Sequence, residues 1–261
     1  MTIEQIESSF LHLGERLEPE ITKIGDPKIR EELRLPFDVV KVNLTNEYRD
    51  FRKLEELAQK MPDRMVKQAN INYFSFRFNP HSVGVAASFV PIERSVCIDS
   101  TFDTNNIFDL VVLYHELRHV VQDTLHRVSI KTDRDFEQYQ NFLTAKAGEK
   151  TRILLVDETT AYAYELELLN LISKGQLKTQ ASDPGFNGTW FRSQFAIRDD
   201  QLGVADVLAE LSVLYFPEGL RQSALPKQFV RRVAERYWQM GYDLFILHQG
   251  QYHRVTDDSF R

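Results

Sequence analysis

The residues of this 261-residue chain best suited to chemistry are His115, Glu116 and His119, which form the pattern His-Glu-x-x-His. Residues four apart on a helix project from the same face, about one turn apart. Both histidines can therefore direct their imidazoles at one metal ion. Glu116 lies beside the first histidine and can reach a water molecule on that ion without being a ligand. The spacing predicts a zinc site in which Glu116 takes a proton from this water.

The sequence around this pattern predicts a buried helix over about 107–125. Residues 107–113 are apolar except for Asp109, which is typical of a helix enclosed by other elements. Two histidines and a glutamate on such a helix are costly to bury without partners, and a metal ion supplies one. The simpler alternative is a partly exposed helix end with hydrogen-bonded histidines and a solvated Glu116.

Composition limits which side chains can hold a metal. Cys97 is the only cysteine, so the chain cannot build a zinc site with two or more thiolates or an internal disulfide. Any ligands must be His, Asp or Glu. The 32 Lys and Arg residues against 38 Asp and Glu give a net charge of −6. A broad nucleic-acid-binding surface is normally basic, so we expect no nucleic-acid partner.

The sequence also predicts where the protein resides. Its longest apolar run, residues 110–114, is far too short to cross a bilayer. Residues 1–7 are acidic and lack the apolar segment of a signal peptide. We therefore expect a cytoplasmic protein that has no membrane partner.

The elements before the histidine helix are predicted from hydrophobic spacing. A period near 3.6 predicts helices over 1–24 and 45–61, and Pro19 is expected to break the first of them. Alternating apolar residues predict strands at 71–78, 83–90 and 92–99. A turn signal between the first two strands predicts that they form a hairpin.

The elements after the histidine helix are mainly helical. Helices are predicted over 151–173, 203–216 and 226–247, with a long irregular stretch at 174–203. Strands followed by helices predict an α+β domain. We expect a single domain, 1–261. Its parts are a helical N-terminal part at 1–65, a catalytic core at 70–175, and a loop and C-terminal helical part at 176–261.

The stretch 111–122 resembles the active-site helix of the zincin metallopeptidases, with apolar residues before and after the two histidines. Arg118 departs from the family pattern because it is a charged residue inside the motif. The resemblance implies a zincin-like α+β fold with a short mixed or antiparallel sheet, an active-site helix and surrounding helices. It also implies a Zn²⁺-dependent peptidase, in which Glu116 is the general base and then the proton donor to the leaving amine.

The same resemblance implies a glutamate as the third ligand on a second helix. Glu158 and Ala161 form a Glu-x-x-Ala pattern similar to the ligand helix of the zincins that use a third-ligand glutamate. Glu165 lies two turns further on, and it is the alternative ligand or a partner that orients a histidine. Asp123 lies one turn after His119 and is a candidate hydrogen-bond acceptor for it.

Tyr162 and the strand at 92–99 are further candidates for roles in catalysis. Tyr162 shares a helix face with Glu158 and is a candidate donor to the oxyanion of peptide hydrolysis. The alternative role of Tyr162 is to pack between helices with its hydroxyl in a hydrogen bond. The strand at 92–99 is a candidate edge for pairing with an extended peptide.

The expected function is limited intracellular proteolysis of a peptide or protein substrate. The competing function is a non-catalytic zincin-fold binding or regulatory protein that keeps or has lost the metal.

Overall fold

A computed structural model describes residues 1–45, 74–79, 86–130, 132–144, 149–218 and 224–260. The chain forms two compact units, which we call the N-terminal unit (Met1–Lys131) and the C-terminal unit (Thr132–Arg261). The fold class is α+β, as predicted, and each unit contains a small mixed sheet. The single domain stays a prediction, and the boundary between the units falls within its expected core at 70–175.

Three described helices build the N-terminal unit: α1 (Ile3–Lys23), α2 (Pro27–Thr45) and α3 (Ile107–Ser129). Pro19 lies inside α1, so the prediction that it breaks this helix is wrong. The apolar face of α1 stays buried on both sides of the proline, at Leu17 and Ile21. Packing of an apolar face supplies most of the stability of a helix in a protein, which explains why α1 continues.

The helix α2 has no counterpart in the sequence prediction. Two prolines and scattered charges obscure its spacing, but Leu33, Phe37 and Val40 are buried on one face. The Phe37 ring stacks on Phe10 of α1, with ring centroids 4.7 Å apart, and lies against Tyr114 of α3 at 5.6 Å. This aromatic contact joins all three helices. The predicted helix at 45–61 lies outside the described residues except at Thr45.

The sheet of the N-terminal unit contains β1 (Ser75–Asn79), β2 (Ala87–Val90) and β3 (Ser95–Asp99) in the order β1-β3-β2. The strand β1 pairs parallel with β3, and β2 pairs antiparallel with it. The predicted hairpin between the first two strands is therefore wrong. The sequence also predicts a sheet edge at 92–99. The strand that forms there, β3, is instead the central strand of the described sheet, and all of its residues are buried. Among the described residues, β2 and β1 are the edges.

The helix α3 confirms the predicted histidine helix and extends it to Ser129. Its first turn is capped by the Asn106 side chain, which accepts the Phe108 N–H at 2.8 Å. The residues that precede the histidines are largely buried, as the apolar run predicts. The core-facing residues that are fully buried are Phe108, Val111, Leu113, Tyr114, Leu117 and Val120.

A buried ionic cluster fastens the turn between β2 and β3 to α3. The Asp123 carboxylate accepts hydrogen bonds from Arg94 in this turn and from Arg127 on α3. Arg127 also donates to the Pro91 carbonyl at 3.2 Å. Each cation lies against the same carboxylate, so burial leaves no member of the cluster without an opposite charge. The cluster holds the end of β2 beside the histidine helix.

The C-terminal unit contains six described helices: α4 (Asp133–Leu143), α5 (Leu155–Ile172), α6 (Gln176–Gln180), α7 (Gly188–Phe195), α8 (Leu202–Tyr215) and α9 (Lys227–Gln239). Its strands are β4 (Arg152–Leu154), β5 (Asp243–His248) and β6 (Gln251–Arg254), in the order β4-β5-β6. The strand β4 pairs parallel with β5, which pairs antiparallel with β6.

Three predictions for the C-terminal unit are corrected by this arrangement. The helix predicted from residue 151 begins only at Leu155, because β4 pairs with β5. The stretch 174–203 contains α6, α7 and a 3₁₀ turn, so it is not irregular. The helix predicted to residue 247 ends at Gln239. Gly241 then adopts a φ of +87° and the chain turns into β5.

The helix α5 is buried on almost every side. Its buried residues include Leu155, Ala161, Leu166 and Leu169, which do not share one face. A helix that is enclosed all round lies at the centre of its unit. It contacts α9 and β5, which surround it within the C-terminal unit. Two carboxylates of the sequence prediction, those of Glu158 and Glu165, are therefore held in a buried environment.

Candidate metal site

The two histidines of the motif lie together on one face of α3. Their ring centroids are 4.9 Å apart and their planes are inclined at 73°. His115 is only 7% exposed, and His119 is half-buried. The helical spacing predicted from the sequence therefore brings two imidazoles into contact at the protein interior, where nitrogen donors are shielded from bulk water.

Gln122 sets the orientation of the His119 ring. Its Oε1 atom lies 2.8 Å from His119 Nδ1. An amide oxygen accepts a hydrogen bond, so this contact favours the tautomer with the proton on Nδ1, in which Nε2 carries the lone pair that a metal ion needs. The role that the sequence suggests for Asp123 stays a prediction, and its carboxylate accepts hydrogen bonds from Arg94 and Arg127. Gln122 was not named from the sequence, although its position three residues after His119 is a usable signal.

The Glu116 carboxylate is held by the edge strand β2. Its Oε2 atom accepts the backbone N–H of Phe89 at 2.7 Å. The contact joins α3 to β2 at the residue predicted to be the general base. No side-chain pattern identifies Phe89, because a backbone amide is the same in every residue type except proline. Only the fold places this donor beside Glu116.

Arg118, the charged residue inside the motif, is used to bind α2. Its guanidinium donates to the backbone carbonyl of Glu32 at 2.8 Å and to the carboxylate of the same residue at 2.9 Å. Arg118 is 2% exposed. Its departure from the zincin pattern therefore has a structural explanation, because it fixes the helix that carries the histidines against α2.

Glu158 occupies the first turn of α5 and is 8% exposed. A carboxylate in this turn benefits from the partial positive charge at a helix N-terminus. Its Oε2 atom accepts a hydrogen bond from the hydroxyl of Tyr237 on α9. The sequence does not single out Tyr237, because 79 residues separate it from Glu158 and neither motif nor periodicity links them.

The other residues predicted on α5 are also buried. Glu165 is 2% exposed and lies about two turns after Glu158, and Tyr162 lies about one turn after it. The roles of Tyr162 in oxyanion binding and of Glu165 as a ligand or orienting residue stay predictions.

The candidate ligand set is His115, His119 and Glu158, each of which offers one donor atom. The two histidines belong to the N-terminal unit and Glu158 belongs to the C-terminal unit. Two imidazole nitrogens and one carboxylate oxygen make up a donor set used for catalytic zinc. Among the described residues, neither Asp123 nor Glu165 belongs to this group. The donor chemistry therefore fits a zinc ion.

Comparisons with models of known protein families, with curated proteins and with solved structures found no match for this chain. None of the helices in the described residues has the length and apolar character needed to span a bilayer.

Proposed function

We propose that the protein is a zinc-dependent peptidase of zincin type, with His115, His119 and Glu158 as the metal ligands. The observation that carries the proposal is the pair of imidazoles on one face of α3, whose ring centroids lie 4.9 Å apart. These histidines supply two of the three proposed ligands. The third is Glu158, the buried glutamate that the resemblance to zincins singles out.

The proposed ligand set suits a catalytic ion. Three protein ligands leave one position for water or substrate, whereas a structural zinc ion normally has four. When bound, zinc would polarise a substrate carbonyl and lower the pKa of a water molecule. The two neutral imidazoles and the single Glu158 carboxylate leave part of the positive charge of the ion uncompensated, which favours both effects.

Glu116 is assigned the proton-transfer steps. It takes a proton from the attacking water and then delivers it to the amine that leaves when the peptide bond breaks. The bond from the Phe89 amide to Oε2 supports this role, because it fixes the carboxylate on α3. We assign the transferred proton to Oε1. Tyr162 remains our candidate for donating a hydrogen bond to the oxyanion.

The substrate is proposed to be an extended peptide that pairs with β2. This strand is an edge of the described sheet, and its Phe89 amide lies beside Glu116. Edge strands offer main-chain donors and acceptors to an incoming peptide. The sequence predicts that the peptide pairs with the strand at 92–99. The strand that forms there, β3, already has a strand on each side, so we place the pairing edge at β2.

The decisive variant for this proposal is Glu116→Gln. We expect about one zinc ion per wild-type chain and cleavage within a mixed peptide library, measured by metal analysis and mass spectrometry. The variant should keep the zinc and lose about 10²- to 10⁴-fold in cleavage rate, because an amide cannot accept the proton. Glu137→Gln, at an exposed position on α4, is the matched control and should retain full activity.

Two other outcomes would overturn the proposed activity. A zinc-loaded wild-type chain that cleaves no peptide would favour the alternative of a non-catalytic binding or regulatory protein. A chain that holds no zinc, and whose His115→Ala variant has the same properties, would remove the metal site as well.

A further inference from the structure

We propose that Tyr237 is a positioning residue that determines how Glu158 presents its carboxylate to the metal ion. This inference rests on the zinc site proposed above and adds to it a residue from another helix. The observation is the hydrogen bond that the Tyr237 hydroxyl donates to Glu158 Oε2. Both residues belong to the C-terminal unit, where α9 contacts α5.

The hydrogen bond distinguishes the two oxygens of Glu158. A carboxylate can bind a metal ion through one oxygen or through both. Because the phenol engages Oε2, Oε1 is the oxygen that Glu158 presents to zinc, and one-oxygen coordination is favoured. Partners of this kind orient metal ligands and are worth about 10- to 100-fold in affinity. The burial of Glu158 adds to the effect, because bulk water cannot replace a lost donor there.

The Tyr237 side chain is held in place by its surroundings. It lies in the last turn of α9, and its backbone carbonyl accepts the N–H of Tyr242 at 3.0 Å. The two tyrosine rings meet edge to face, with centroids 5.6 Å apart and planes at 80°. The turn from α9 into β5 therefore fixes the phenol. An oriented hydroxyl costs less conformational entropy to use than a mobile one.

This role differs from that of a catalytic residue. The Tyr237 hydroxyl contacts a proposed ligand rather than a reacting atom, so it acts through Glu158. Its removal should change the affinity for metal and the coordination of the metal, even in the absence of substrate. A purely structural tyrosine would change stability alone. Metal binding thus separates the two roles.

The test uses the full chain with Tyr237→Phe, which keeps the ring and deletes the hydroxyl. Zinc affinity is measured by competition with a chromogenic chelator, and coordination by the visible spectrum of the Co²⁺-loaded protein. We expect the affinity to fall about 10- to 100-fold and the Co²⁺ bands to shift as Glu158 changes its binding mode. Tyr242→Phe, the same substitution in the neighbouring ring, should match the wild type.

A double-mutant cycle with Glu158→Ala adds a second criterion. If Tyr237 acts through Glu158, Tyr237→Phe causes no further loss of zinc affinity in the Glu158→Ala background. Losses that add in the double variant would overturn the positioning role. A Tyr237→Phe variant with the wild-type zinc affinity and Co²⁺ spectrum would also overturn the positioning role, but it would leave the proposed zinc site unaffected. A wild-type chain that binds no zinc would instead overturn the proposed function.

Discussion

Three side chains of the candidate site each have one atom engaged by a neighbouring group. Gln122 contacts His119 at Nδ1, the Phe89 amide contacts Glu116 at Oε2, and the Tyr237 hydroxyl contacts Glu158 at Oε2. Outer hydrogen bonds of this kind fix the rotamer of a ligand or base before substrate binds. In the proposed site, the metal ion and the water are assigned to the other atom of each side chain.

Gln122→Ala is expected to weaken zinc binding by about 10- to 100-fold. The substitution removes the acceptor at His119 Nδ1, so the ring loses both its fixed tautomer and its orientation. Chelator competition measures the change directly. Gln138→Ala, at an exposed position on α4, serves as the control. Equal zinc affinity in Gln122→Ala and the wild type would show that Gln122 does not orient the ligand.

The sequence singles out the proposed ligand residues but does not identify their hydrogen-bond partners. The pair His115 and His119 follows from helical spacing, and Glu158 follows from the resemblance of its local pattern. Tyr237 and the Phe89 amide carry no such signal, because each meets its partner only after distant elements pack. A contact between residues far apart in the chain depends on the whole fold, and hydrophobic period describes only local structure.

Neighbouring elements of the N-terminal unit hold α3, the helix that carries the two histidines, at two points. The motif residue Arg118 binds the Glu32 backbone and carboxylate on α2, while Asp123 binds the turn between β2 and β3 through Arg94. These contacts lie on either side of His119 along the helix. A helix anchored at two points along its length has little freedom to shift against its neighbours within the unit.

Arg118→Ala is expected to lower the free energy of unfolding by about 1–3 kcal/mol, because the Glu32 carbonyl loses a donor in a poorly hydrated place. Zinc affinity should stay unchanged, since Arg118 is not a ligand. Urea denaturation and zinc titration of the same samples measure the two effects. Arg134→Ala, exposed on α4, should change neither. A loss of zinc without a loss of stability would contradict this assignment.

Hydrophobic periodicity is sufficient to predict some of the helices and strands but not others. The helix α3 has a long apolar run and was predicted, whereas α2 contains two prolines and was not. The strand β5 was missed because a short apolar run fits a helix or a strand equally well. The strand β6 was missed because its four residues contain no apolar run. Pairing of β5 with β4, a distant strand, decides between a helix and a strand. Tertiary contacts thus override local preference at these elements.

At the scale of the whole molecule, the order of strands and helices predicts the α+β class, and composition limits the kind of metal site that the chain can build. A single cysteine excludes zinc sites with two thiolates, and seven histidines leave an imidazole site open. Length and composition do not locate the division at Lys131 and Thr132, because this boundary depends on which elements contact one another. The architecture beyond fold class therefore comes from the structure.

Unfolding of the whole protein should depend on the protonation of Glu167. Burial raises the pKa of this carboxyl above 4.5, although a hydrogen bond from the Tyr215 hydroxyl at 2.8 Å and the charge of Lys178 act in the opposite direction. A raised folded-state pKa gives a contribution to stability that is complete below pH 4.5. That contribution is lost as the pH rises through the folded-state pKa.

Glu167→Gln should therefore gain stability relative to the wild type as the pH rises. The amide stays neutral, so it avoids the cost of burying a negative charge. Denaturant titrations at about pH 4 and pH 7 measure the difference. Glu137→Gln, at an exposed position, should show no such trend. A difference between Glu167→Gln and the wild type that shrinks with rising pH would contradict the effect of burial.

Zinc K-edge X-ray absorption of the protein loaded with one equivalent of zinc tests the central claim most directly. We expect two imidazole nitrogens and a carboxylate oxygen at about 2.0–2.2 Å from the ion. One imidazole should disappear from the spectrum of His119→Ala, and the carboxylate contribution should change in Glu158→Gln. Failure to bind one zinc ion, a sulfur ligand at about 2.3 Å, or the same spectrum in all three proteins would contradict that claim.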